Sequence, residues 1–175
     1  MDRPTSLTGT LAAAWGIAGV LVLLGSATMR LAPLAVDAFH YPFTAMHWLS
    51  LIVIVAGMAY AEGYRGFQQG FSPRVAARAR YLREHPRPLH ALFAPFFCMG
   101  YFHATRRRRI TSISLTAGII VLVLLVRLLD QPWRGIIDAG VVVGLGWGVV
   151  TIILFSVLAF RNTVFPYSPE VPEER

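Results

Sequence analysis

The five histidines, His40, His47, His85, His90 and His103, are the side chains best able to hold a metal or a haem. A haem inside a helical membrane bundle needs two axial ligands on facing helices at one depth. Only His47 falls within a long apolar stretch, and His40 sits just ahead of Pro42. His85, His90 and His103 fall in a polar connection, at the wrong depth to face His47, so a bis-histidine haem in the bundle is not expected. His90 and His103 would share a site if the chain between them folds back, and Glu62 would complete it near the inner surface. Those three residues are the candidate set for a cofactor, a quinone or a haem, with the aromatic run Phe93 to Phe97 beside them. The chain has no ExxH, HExxH or CxxC spacing, so no metal site is expected.

Four further groups alternate in sign: Arg127, Asp130, Arg134 and Asp138. Ionisable groups at or inside a bilayer are costly, which makes them candidates for a proton or ion site. Here they read first as a closed structural cluster at the outer surface, and second as the mouth of a small channel or transporter. The single Cys98 stands among aromatic residues and reads as a small hydrophobe rather than a nucleophile. GxGxxG, P-loop and GxSxG signatures are absent, and no paired carboxylates are expected inside a pocket, so the chain leans away from an enzyme.

The elements that must position these groups are apolar helices. Of 175 residues 55% are apolar and 14% are charged, which excludes a disordered or disulfide-stapled protein. Four apolar stretches, about 7–29, 43–61, 110–129 and 136–160, each approach the ~20 residues that cross a bilayer as a helix. They are continuously apolar rather than alternating, so they are helices and not barrel strands. The first is read as a retained span rather than a signal peptide, because its apolar run exceeds the usual h-region behind Arg3.

All sixteen basic residues are arginine, and ten lie between the second and third spans. Arginine stays on the cytoplasmic side, so the connection 62–109 and both termini are placed there, in a bacterial inner membrane. Trp133 and Tyr41 then fall in the outer aromatic belt. The net charge of +7 is explained by topology and anionic lipid, not by nucleic acid. The run Arg106, Arg107, Arg108 and Arg109 is expected at the lipid headgroups, with docking of an acidic partner as the alternative.

Within the connection, Ser72-Pro73 reads as an N-cap and first helical residue. Val75, Ala79 and Leu82 repeat at helical spacing with Arg74, Arg78 and Arg80 placed elsewhere round the axis, and Pro86 and Pro88 end the helix. This predicts a short amphipathic helix lying on the inner leaflet or on other protein. Residues 91–103 are apolar but too short to span, so they read as interfacial or re-entrant.

Gly140, Gly144 and Gly148 recur every four residues and form a helix-packing face, or else a partner interface. Similar small stripes are Ala14 with Ala18 and Gly57 with Ala61. The whole reads as an all-α membrane protein: one transmembrane domain over 1–165 and an acidic, proline-rich tail over 166–175, disordered or laid against a partner. The leading expectation is a non-catalytic accessory, assembly or structural subunit of a larger complex, with anionic lipids and other membrane subunits as partners.

Overall fold

The computed structural model describes residues 7–172; Arg3 and the last three residues of the acidic tail lie outside them. The described chain is mainly helical and holds no strand. Seven α-helices follow in order: α1 (Leu7–Asp37), α2 (Ala45–Met58), α3 (Ser72–Glu84), α4 (Pro88–Leu92), α5 (Ala94–Met99), α6 (Arg106–Val126) and α7 (Trp133–Arg161). A 3₁₀ turn, Ala38–His40, extends α1. A π-helical stretch, Ala59–Phe71, joins α2 to α3. Four helical rods are long and apolar enough to cross a membrane: Leu7–His40, Ala45–Glu84, Arg106–Val126 and Trp133–Arg161.

The first two rods outrun the apolar stretches that mark them, while the third ends at Val126, short of residue 129. The first continues past residue 29 through Pro33 to Asp37, where Ala38 and Leu34 close on Gly135 of α7. The second does not end at Ala61. It runs unbroken to Glu84, so Ser72 is not a free helix start. Its hydroxyl bonds instead to Thr151 of α7 at 2.8 Å, with both residues buried.

The π stretch has a packing cause. Gly140 meets Ile54 and Met58, Gly144 meets Glu62, Gly148 meets Phe67, and Thr151 meets Ser72. Contacts on α7 therefore advance by four, four and three residues, while those on the partner advance from Met58 by four, five and five. An α turn of 3.6 residues would carry the partner's contact residues off the α7 face. The wider i→i+5 turn returns one of them to it at every turn, as when the Ser72 amide bonds to the Phe67 carbonyl. Gly140, Gly144 and Gly148 thus face the chain's own second rod.

α3 is not an amphipathic surface helix. Ser72, Pro73, Val75 to Ala79 and Leu82 are all buried, because α1, α5 and α7 enclose it. Residues 91–103 fold as two short helices broken at Phe93, followed by a loop. α5 seats Cys98 and Pro95 on α1 at Gly16 and Gly19. Gly100 ends α5 at φ +84, a left-handed conformation that favours glycine. The tail up to residue 172 makes contacts with the chain itself. Tyr167 packs edge-on against Phe155 and Val171 joins the core.

Candidate functional site

The arginine-rich end of the bundle is built around Arg78, only 1% exposed. It lies on the apolar row Val75–Arg78–Ala79–Leu82, facing inward rather than elsewhere round the axis. Its Nε donates to the Phe97 carbonyl at 2.6 Å and its Nη1 to Pro169 at 2.7 Å. Its Nη2 donates to Phe102 at 3.0 Å and His103 at 3.1 Å. The guanidinium also lies 4.2 Å from the Phe97 ring centre. No carboxylate among the described residues is in hydrogen-bond contact; four carbonyls spread the charge instead. One side chain thereby ties α3 to the end of α5, the following loop and the tail. His103 and Glu170 hold left-handed φ of 45 and 49 at this junction, held there by these bonds and by the Thr105 amide donating to the Glu170 carbonyl.

Arg80 does a related job. Its Nη atoms donate to the carbonyls of Ala159, Asn162 and Thr163, and its Nε pairs with Glu84 at 3.0 Å. It closes the last turn of α7, where free carbonyls and the helix dipole both attract a cation. Neither role was read from the sequence. For Arg78 the signal was present, because its position completes the i, i+3, i+4, i+7 row of α3.

The candidate cofactor set separates. The loop does fold back, bringing the His90 and His103 rings to 4.6 Å between centres, beside Phe97 and Phe102. Glu62 is elsewhere. Its carboxylate lies over Gly144, about 16 Å along α7 from Trp133, rather than at the arginine-rich boundary. No three His, Cys, Asp or Glu side chains converge on a metal-sized site among the described residues. Burial holds His90 below the ordinary histidine range, helped by the charges of His103, Arg87 and Arg78. Burial pushes the Cys98 thiol up to about 12 against the pull of Arg78.

The four-residue charge cluster does not close. Arg134 pairs with Asp138 at 3.8 Å, one turn apart on α7, and Asp138 is 4% exposed. Arg127 and Asp130 are exposed and enter no ion pair among the described residues. Gln131 takes over that turn: it donates to the Leu34 carbonyl and to Asp37, and accepts from the Gly135 amide. Near it, Phe43, His47, Trp48 and Trp133 form an aromatic cluster, with His47 edge-on to Trp133 at 4.7 Å.

The run Arg106 to Arg109 divides. Arg106, Arg107 and Arg109 are exposed, but Arg108 is 5% exposed and folds against Gly100. The reason is helical spacing: Arg108, Ser112 and Thr116 share the α6 face that meets the loop 99–103. There Ser112 bonds to the Met99 carbonyl at 2.9 Å, and Tyr101 bonds to Thr116.

No protein-family model, curated protein or solved structure matches this chain. The fold itself defines the class: an all-helical protein with four helices fit to span a membrane.

Proposed function

We propose that this chain is a non-catalytic integral subunit of a larger inner-membrane assembly, one that holds or builds the complex, with both termini and the arginine-rich end in the cytoplasm. One observation carries the reading. α6 stands away from the other rods: every residue from 117 to 125 is exposed, although the helix is continuous and apolar. It is tied down at Ser112 and Thr116 and again at the buried Val126. Hydrocarbon gives no hydrophobic drive between helices, so membrane partners recognise one another through small residues that allow close approach. Ser114, Ala117 and Gly118 offer such a surface, and a Cβ on Gly118 would meet nothing in this chain. Gly140, Gly144 and Gly148 of α7, by contrast, are already covered by the chain's own second rod.

Gentle extraction from native membranes followed by mass measurement tests this. The expected particle exceeds the 19.3 kDa chain by a stoichiometric partner, and Gly118→Leu releases that partner while the chain stays folded. A monodisperse particle of the chain alone in several mild detergents overturns the reading. The His90–His103 stack supports a second reading, a quinone- or haem-binding membrane protein. A purified sample with no Soret band and no extractable quinone removes it.

A further inference from the structure

The second rod carries polar residues to the middle of the bundle. Glu62 lies over Gly144 and Phe67 over Gly148, so Arg65 between them stands near the level of Gly146. Gly146 is about 20 Å along α7 from Trp133 at one end and from Ala159 near the other. That is mid-depth for a hydrocarbon layer about 30 Å thick. An arginine side chain reaches roughly 6 Å, too little to carry its charge to either headgroup region. Arg65 is exposed, and it enters no hydrogen bond or ion pair among the described residues. Glu62, three positions before it, is turned to α7 and does not pair with it. Tyr60 and Tyr64, stacked at 6.0 Å, and Gln69 are exposed along the same stretch. Earlier on the rod, a Cβ on Gly57 would meet nothing. α2 and the π stretch pack chiefly on α7, which leaves this surface open. A charge at that depth is costly unless something within the membrane pairs with it.

We propose that this face receives a membrane-spanning helix of another subunit, whose Asp or Glu side chain pairs with Arg65 at mid-depth. The inference deepens the subunit reading and rests on it. Charge complementarity names the occupant. Among the described residues the other carboxylates stand toward the ends of the bundle. Asp37 meets Gln131 beside the start of α7, and Asp138 lies about 12 Å along α7 from Gly146. Glu84 pairs with Arg80 beside the end of α7, and the Glu170 backbone is tied to Thr105 at the start of α6. Glu62 is seated on Gly144, so a second copy of this chain would bring no free carboxylate to the level of Arg65. A lipid phosphate lies about half the bilayer thickness away. A guanidinium takes a carboxylate through two parallel bonds, and between helices away from water such a pair fixes partner and register together.

Photocrosslinking of the full chain in its native membrane tests this. Tyr64→p-benzoylphenylalanine puts an exposed photoreactive ring beside Arg65 and leaves the arginine in place. The expected adduct joins position 64 to a membrane-spanning segment of another protein, with an Asp or Glu within a turn of the crosslinked residue, read by mass spectrometry of the joined peptides. Arg65→Gln should lower the yield about fivefold or more, the order of one polar contact between membrane helices, and Arg65→Lys should lower it less. Arg65 bonds to nothing in its own chain, so Arg65→Gln should keep the unfolding curve of the parent, and its lost crosslink is not a lost fold. An adduct with lipid alone, with a second copy of this chain or with a span lacking a carboxylate overturns the proposal. So does the absence of any adduct, a probe that reacts only with water, or a yield that Arg65→Gln leaves unchanged. A particle that keeps its partner through Arg65→Gln removes this contact and leaves the subunit reading standing; a chain that purifies alone removes both.

Discussion

Placing an alanine at Gly148 and another at Gly146 separates an internal packing face from an open one. A Cβ at Gly148 would lie 2.6 to 2.7 Å from three atoms of the Phe67 ring. The ring cannot simply retreat, because Phe71 meets it edge-on at 5.6 Å and the neighbouring Gln68 accepts a hydrogen bond from Trp147. Overpacking of this kind costs about 1–3 kcal/mol. Replacing glycine by alanine within a helix returns about 1 kcal/mol, so Gly148→Ala should lose up to about 2 kcal/mol net. At Gly146 a Cβ meets nothing, and only the helical gain remains. The two variants should differ by about 2 kcal/mol, close to a 30-fold change in the folding equilibrium. Titration with sodium dodecyl sulfate in a mild detergent, followed by far-ultraviolet circular dichroism, reads the difference. If Gly148→Ala unfolds together with Gly146→Ala, the register of α7 against the π stretch is wrong. If stability is unchanged but the particle mass falls, the glycine face belongs to an intermolecular contact.

Three further outcomes follow from the arginine-rich end. Arg78→Lys keeps the charge but cannot span the carbonyls of Phe97 and Pro169 at once, so it should cost about 2–4 kcal/mol in the same titration; a loss under about 0.5 kcal/mol, the ordinary surface value, would show that the junction does not depend on the fork. Cys98 is buried with its thiol pushed up to about 12, so a water-soluble maleimide should label it only after denaturation, and rapid labelling of the folded chain contradicts the packing of α5 on α1. His90 has a folded pKa below its unfolded value, so the unfolded chain takes up the proton first. The stability it contributes is present above about pH 6.5 and is lost as pH falls through its lowered folded value. His90→Phe should flatten that acid limb, and a limb of unchanged depth in the variant assigns it to other groups.

The four rods were legible because hydropathy over about 20 residues depends on composition alone. Their ends were not, because helix length beyond the apolar run is decided by tertiary contacts such as Ala38 on Gly135 and Ser72 on Thr151. The α7 glycine spacing was visible, but not what covers it. That depends on a partner whose contact period changes from α to π, and no pattern fixed at 3.6 residues anticipates the change. The same assumption put Glu62 at the boundary, by ending its rod at Ala61. His90 and His103 were correctly seen as neighbours only if the loop folded back. The force that folds it, Arg78 drawing in the carbonyls of Phe97, Phe102 and His103, was hidden because arginine was read as a surface residue.

That last misreading has a general physical content. Counting arginines by side treats each as one charge at a headgroup, and on that count the connection is uniform. Geometry separates three kinds among them. Arg78 and Arg80 spend their donors on backbone carbonyls and close the chain on itself. Arg106, Arg107 and Arg109 remain exposed and are fit for diffuse attraction. Arg108 is buried against Gly100 with the Glu170 carboxylate 4.0 Å from its Nε, so its charge sits inside the chain rather than at a headgroup. A count of charges by side cannot tell these kinds apart, because the role of each arginine follows from which carbonyls and carboxylates the fold brings within its reach.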